Sequence, residues 1–308
     1  MKNYKIFCNS QLPFFEEVKH HFDGIQIDFW PHPYKITADT LADVFNHYDG
    51  VVTNHSVRID CSLFGENFKV KALSSYGTGQ DYMDKPFLES KGIKIVGIYD
   101  EHVYSTAELA LGLGLSCIRN INTSSNYVRR GEWNTEGLTL YMGDNLYGKT
   151  WGIIGMGKIG VKLAQMLKVF GCNVIYTANS DKHNEWEYCT KEELLQRSDI
   201  ISLHMPLKED TLNYIDEPEL KLMKKTAILV NVARGKVINN VKLYEYLEKG
   251  LIGSAALDVT DPEPLNDKRV TEIPNLLITP HIGTAAAYTR KQMTYASIKN
   301  LVGLLDSI

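Results

Sequence analysis

Short apolar runs recur along the chain, and stretches whose apolar residues return every three or four positions lie between them. In the first hundred residues the runs are "KIFCN", "IQIDFW", "DGVVTN", "VKALSS" and "IKIVGI", with helical patterns such as "TADTLADVF" and "DKPFLESKG" between them. A second series follows further on: "TWGIIG", "NVIYT", "IISLH", "AILVNV", "SAALDV" and "NLLITP". Strands that alternate with helices predict parallel sheets covered on both faces. Between the two series, "STAELALGLGLSCIRNINTSSNYVRRGEW" predicts one long helix from Ser105, which with Glu108 fits a capping box. Thr190 and Glu193 give the same signal ahead of "EELLQR". Residues 133–147 read as a loop or arm, and a last helix is predicted over 284–305. Two α/β units are therefore expected, with crossings at the helix from residue 105 and near residue 280.

Composition narrows the class. The 308 residues suffice for two domains, and 44% hydrophobic with 23% charged residues is that of a globular chain. A net charge of −4 and a pI near 6.2 argue against nucleic acid or an anionic membrane as partner. The apolar run "LALGLGLSCI" at 109–118 is too short for a bilayer and suits a buried helix. Cys8, Cys61, Cys117, Cys172 and Cys189 are odd in number, widely spaced and free of any CxxC pattern. They make neither a disulfide framework nor a metal site, and the N-terminus reads as a strand and an amphipathic helix rather than a signal peptide. A cytoplasmic protein without a metal is expected.

Chemistry is carried by the second series. In "TWGIIGMGKIGVKLAQML" a strand leads into Gly155, Gly157 and Gly160, and a helix follows. That context suits a dinucleotide: Gly155 permits the turn, Gly157 admits a pyrophosphate, Gly160 allows close packing, and the helix N-terminus offers N–H groups. Arg234 ends the strand "AILVNV" in "ARG", where a guanidinium can grip a carboxylate. Asp258 ends "SAALDV", Glu263 lies between two prolines, and His281 follows Pro280 at the end of "NLLITP". Taken singly, each has an ordinary explanation: a structural turn, a surface ion pair, a solvated acid, a histidine that ends a strand. Together they supply what reduction of a 2-oxo acid needs, namely a guanidinium for the carboxylate, a proton donor for the keto oxygen and a hydride source. A carboxylate beside the histidine would orient it and favour its charged form.

With these residues in view, the chain resembles the D-isomer-specific 2-hydroxyacid dehydrogenases over nearly its whole length. The resemblance rests on "SSYGTGQDYMD" (74–84), "STAELALGL" (105–113), "GMGKIG" (155–160), "VNVARG" (230–235), "ALDVTDPEP" (256–264) and "PHIGT" (280–284), with Arg234, Glu263 and His281 spaced 29 and 18 residues apart. It implies two doubly wound parallel-sheet (Rossmann/flavodoxin-like) domains with the active site in the cleft between them. Residues 1–102 with 282–308 would bind substrate, and 103–281 would be an inserted dinucleotide-binding domain. The implied function is oxidoreductase: hydride passes between NAD(P) and a 2-oxo acid/D-2-hydroxy acid pair. The implied catalytic set is His281 as acid/base, Glu263 as its partner and Arg234 on the substrate. Thr78 and Gly79 would offer N–H groups to the carboxylate, near Tyr76. Around the cofactor the resemblance places Thr106, Gly155, Gly157, Lys158, Ile159, Gly160, Met205, Pro206, Val232, Ala233, Arg234, Asp258, His281, Gly283 and Thr284. Asp258 would hold the carboxamide, and segment 116–147 would build a homodimer.

The sequence departs from the family pattern at one place. NAD-using members carry an acid at the end of the second strand of the cofactor domain, and here Ala178 stands there, followed by Asn179 and Ser180. Loss of the carboxylate removes a ribose partner and the charge that repels a 2′-phosphate, so NADP is favoured over NAD. Asn179, Ser180 and Lys182 are the candidate phosphate donors, and Asp181 would serve NAD instead if the strand ended later. Tyr76, Tyr99 and Tyr141 are aromatic candidates near substrate, Tyr141 better suiting a core or interface. Lack of a basic cluster in the first unit favours a small unphosphorylated acid. Two other readings share the scaffold: a dinucleotide-binding regulator like the C-terminal-binding-protein corepressors, and a formate or phosphite dehydrogenase.

Overall fold

The computed structural model describes residues 4–65, 67–134, 137–183 and 185–308. The chain divides into two compact units, Met1–His102 with Ala285–Ile308, and Val103–Thr284. The second unit runs to Thr284 rather than to residue 281 because Asp258 holds the backbone N–H groups of Ile282 and Gly283 at 2.8 Å each.

In the first unit β1 (Lys5–Cys8), β2 (Gln26–Phe29), β3 (Gly50–Thr53), β4 (Ala72–Ser75) and β5 (Lys94–Gly97) form a parallel sheet in the order β2-β1-β3-β4-β5. Successive side chains point to opposite faces. Phe7, Val51 and Leu73 pack with Leu41 and Phe45 of α2 (Ala38–His47) and Leu88 of α3 (Lys85–Ser90). Ile6, Cys8, Val52 and Ala72 face the C-terminal helix α11 (Ala287–Asp306) through Ile298, Leu301 and Leu305. Ser74 Oγ donates to the Ser297 carbonyl at 2.8 Å and Asn300 Nδ2 to that of Gly97 at 2.9 Å, which fixes α11 on this sheet. The N-terminal helix is shorter than its pattern suggests: α1 covers Phe15–Val18 and a 3₁₀ turn follows over Lys19–Phe22.

In the second unit seven parallel strands run in the order β12-β11-β10-β9-β6-β7-β8. They are β6 (Thr150–Ile154), β7 (Asn173–Thr177), β8 (Glu187–Tyr188), β9 (Ile200–Leu203), β10 (Ile228–Asn231), β11 (Ser254–Leu257) and β12 (Leu276–Ile278). β8 is two residues long, too short to show as alternation. Leu163 and Leu167 of α6 (Lys158–Val169) pack on one face with Trp151, Ile153 and Val230; Leu194 and Leu195 of α7 (Lys191–Arg197) pack on the other with Ile201 and Leu229. Thr190 and Glu193 make the expected capping box ahead of α7.

The helix expected from Ser105 differs in two ways. It starts earlier, as α4 (Val103–Ile118), so Ser105 is a buried interior residue rather than a cap. It also ends sooner: Asn120 adopts a left-handed conformation with φ 53°, which asparagine tolerates better than most residues, and α5 (Ile121–Arg129) is a separate helix. The last helix begins at Ala287 rather than residue 284. Among the described residues no helix is long and apolar enough to cross a membrane.

Candidate active site

Strand order in the seven-stranded sheet reverses between β6 and β9, and open α/β sheets bind ligands at such a point, beyond the carboxyl ends of the strands. The glycine-rich turn leaves β6 there. Gly155 has φ +100°, and a Cβ on it would lie 2.9 Å from the carbonyl carbon of His204 and 3.0 Å from the nitrogen of Met205. A Cβ on Gly160 would lie 2.4 Å from the Gly155 carbonyl oxygen. Both glycines are thus required by the fold itself. Gly157 is different: a Cβ there would meet nothing within 4 Å, and the residue caps α6 without a side-chain hydrogen bond. Open space before a helix N-terminus is what a pyrophosphate needs, so these residues fit a dinucleotide. Lys158 and Ile159 form the first turn of α6, and Met205 and Pro206 follow β9.

Arg234 lies just past β10. Its backbone is set by Asn231, fully buried, whose Nδ2 donates to the Arg234 carbonyl at 2.9 Å while its Oδ1 accepts from Ala233 N–H at 2.9 Å. The next residue explains the "RG" pair. A Cβ on Gly235 would lie 2.1 Å from the Thr260 carbonyl, so only glycine lets this loop lie against the one that carries Glu263. Val232 and Ala233 complete the strand end.

Glu263 is held at both oxygens. Thr260 N–H donates to Oε1 at 3.1 Å, and His281 Nδ1 lies 2.9 Å from Oε2. A carboxylate can only accept, so Nδ1 carries the proton of that bond. His281 has φ 54°, an uncommon conformation for a residue with a Cβ. Asp258 maintains it. Besides Ile282 and Gly283, its carboxylate accepts from Thr279 Oγ1 at 2.6 Å, and its carbonyl accepts from His281 N–H at 2.8 Å. Burial raises the Asp258 carboxyl above its usual range, against the opposing effect of these donors. Three donors from its own chain leave the carboxylate about one further acceptor position. Thr106 Oγ1 donates to the Gly283 carbonyl at 3.4 Å, so Thr106, Gly283 and Asp258 converge, with Thr284 next in the same turn.

Ala178 comes directly after β7 closes at Thr177, followed by Asn179 and Ser180, both exposed. In the first unit, Thr78 ends the bend after β4 and Gly79 follows it, its carbonyl accepting from Ser75 Oγ at 3.1 Å. Tyr76 turns into its own unit: its hydroxyl contacts Thr294 Oγ1 at 3.1 Å and donates to the Arg290 carbonyl at 3.2 Å on α11. Tyr99 is exposed, and the Tyr141 ring lies 5.3 Å from that of Tyr127 on α5. Sequence reasoning passed over Asn231, Thr260 and Thr279. Their signal is a small polar residue at or just beyond a buried strand, where an unpaired group would be costly.

The model of the D-isomer specific 2-hydroxyacid dehydrogenase NAD binding domain matches residues 111–283. A glyoxylate reductase from Thermococcus gammatolerans is 33% identical, with 97% of this chain and 92% of the relative covered. A solved structure from Thermus thermophilus superposes with a TM-score of 0.92 at 31% identity, covering 98% of this chain and 97% of that one. A glyoxylate reductase from Paecilomyes thermophila gives 0.87 at 26% identity, with 99% and 96% covered. The chain belongs to the D-isomer specific 2-hydroxyacid dehydrogenase family, an oxidoreductase that passes hydride between a nicotinamide cofactor and a 2-oxo acid/2-hydroxy acid pair.

Proposed function

We propose that the protein reduces a small, unphosphorylated 2-oxo acid with NADPH, and that Arg234, Glu263 and His281 carry the reaction. The observation that carries this reading is the bond between His281 Nδ1 and Glu263 Oε2, at 2.9 Å, on a turn fastened by Asp258. The bound reduced nicotinamide supplies hydride to C2 of the substrate. His281, oriented through Nδ1, gives a proton from Nε2 to the keto oxygen, and Glu263 stabilises the charged imidazole that precedes transfer. The Arg234 guanidinium pairs with the substrate's carboxylate and keto oxygen. Small substrates are supported by the name glyoxylate reductase, carried by relatives 33% and 34% identical.

NADP is supported by the end of β7 at Thr177, which leaves no acid at the place of Ala178. Asn179, Ser180 and Lys182 are then the donors for a 2′-phosphate. A homodimer through segment 116–147 is supported by the exposed apolar side chains of Ile121, Val128, Trp133, Leu138 and Met142. A reducing, cytoplasmic setting is supported by five free cysteines.

The test is steady-state oxidation of NADPH and NADH with glyoxylate, pyruvate and hydroxypyruvate, and the reverse assay with formate and phosphite. Glyoxylate turnover with NADPH preferred is expected. Activity confined to formate or phosphite, or none with any acid, overturns the proposal.

A further inference from the structure

Asp181 stands three residues beyond Ala178, close enough in sequence to serve as a ribose acid, and its carboxylate is already engaged within its own loop. Tyr176, a fully buried residue of β7, donates its hydroxyl hydrogen to Asp181 Oδ1 at 2.5 Å. The same phenol oxygen accepts from Lys182 N–H at 2.8 Å, so the chain from 177 to 182 closes on one side chain. His183 N–H donates to Asp181 Oδ1 at 2.8 Å, and His183 Nδ1 lies 3.4 Å from Oδ2. Tyr188, on β8, donates to the Ala178 carbonyl at 3.4 Å and fixes the start of the loop. Burial, and then the neighbouring carboxylate, raise the Tyr176 phenol above its usual range, so it stays a donor at neutral pH. Asn179, Ser180, Asp181, Lys182 and His183 are all exposed, but Oδ1 of Asp181 is engaged twice within its own loop, while Lys182 Nζ donates to Ser180 Oγ at 3.3 Å.

We propose that Tyr176 is the positioning residue that sets cofactor choice: its hydroxyl withholds Asp181 from the adenosine ribose and closes the loop so that donors, not a carboxylate, meet the 2′ substituent. The proposal rests on the reading that this loop meets the adenosine ribose of NADPH. Tyr176→Phe keeps the ring that packs in the sheet and removes only the hydroxyl. Asp181 is then released toward the ribose, where it accepts hydrogen bonds from NADH and repels the phosphate of NADPH.

The test is the dissociation constant of NADPH and of NADH, each measured by fluorescence titration without substrate. Tyr176→Phe should shift their ratio toward NADH by about tenfold, the order of one charge-assisted hydrogen bond. Adding Asp181→Ala to Tyr176→Phe should abolish the NADH gain, and Asp181→Ala alone should leave NADH binding within about twofold of wild type, since a withheld carboxylate has nothing to lose. A loop that was merely loosened would weaken both cofactors alike and would not respond to the second change. An unchanged ratio in Tyr176→Phe, or a tenfold loss of NADH binding in Asp181→Ala, overturns the proposal. Wild-type preference for NADH with a silent Asp181→Ala would instead remove the NADPH reading and leave Asp181 withheld.

Discussion

Two histidines follow strands of the same sheet, His204 beyond β9 and His281 beyond β12, each beside a proline within two residues. Their surroundings make them opposites. His204 Nε2 lies 3.0 Å from Ser202 Oγ, which accepts from Trp151 Nε1 at 2.8 Å, and His204 Nδ1 is buried with no hydrogen-bond partner among the described residues. Burial pushes its imidazolium down to about 3, so it stays neutral and serves the packing around Gly155. His281 instead has a carboxylate on Nδ1 and a left-handed backbone held by Asp258. Position at a strand end says little about a histidine's work. The groups that desolvate it or share its proton decide.

That comparison can be broken at His281's side by changing its neighbours. Arg234→Lys keeps the charge but loses the planar grip, so kcat/KM for the 2-oxo acid should fall by about a hundredfold, the worth of a bidentate contact. Near-normal kinetics would make Arg234 a structural residue. Glu263→Gln keeps a group of the same size beside Nδ1 without its charge. Turnover should fall by about tenfold, with cofactor binding unchanged, because the charged imidazole loses its partner. A variant as active as wild type would show that the pair does not act in catalysis.

The contrast also explains what the sequence discloses. Most strands of both sheets were readable because they are buried and appear as near-continuous apolar runs, whereas the exposed two-residue β8 was not. Arg234 and His281 were readable because each follows such a run, and Glu263 because its spacing from both matches a known family. The reasons they meet were not. Gly235 is dictated by a backbone contact with Thr260, and the left-handed His281 by Asp258, both products of long-range packing. The Ser105 cap failed because α4 already starts at Val103, which places Ser105 inside the helix. Asp181 stands out in sequence as an alternative ribose acid, but its bond with Tyr176 shows only in the fold.

The smallest expected effect sharpens the other side of the comparison. A histidine held neutral in the fold but free to charge near 6.5 when unfolded adds stability that is fully present above pH 6.5 and is lost as pH falls toward about 3. The loss is at most about 1.4 kcal/mol per pH unit. His204→Gln should therefore lose less stability than wild type between pH 6.5 and 5, as read from urea midpoints. Parallel curves for the two proteins would mean that His204 takes up protons equally in both states.

The most direct test sets the two histidines side by side in rapid-mixing hydride transfer from bound NADPH to glyoxylate. His281→Ala should bind the cofactor normally and transfer hydride more slowly by roughly 10²–10⁴-fold, the usual worth of a placed proton donor. His204→Gln should stay within about threefold of wild type, since a side chain that remains neutral gives no proton. Transfer in His281→Ala within about threefold of wild type, or an equal loss in both variants, would contradict the account.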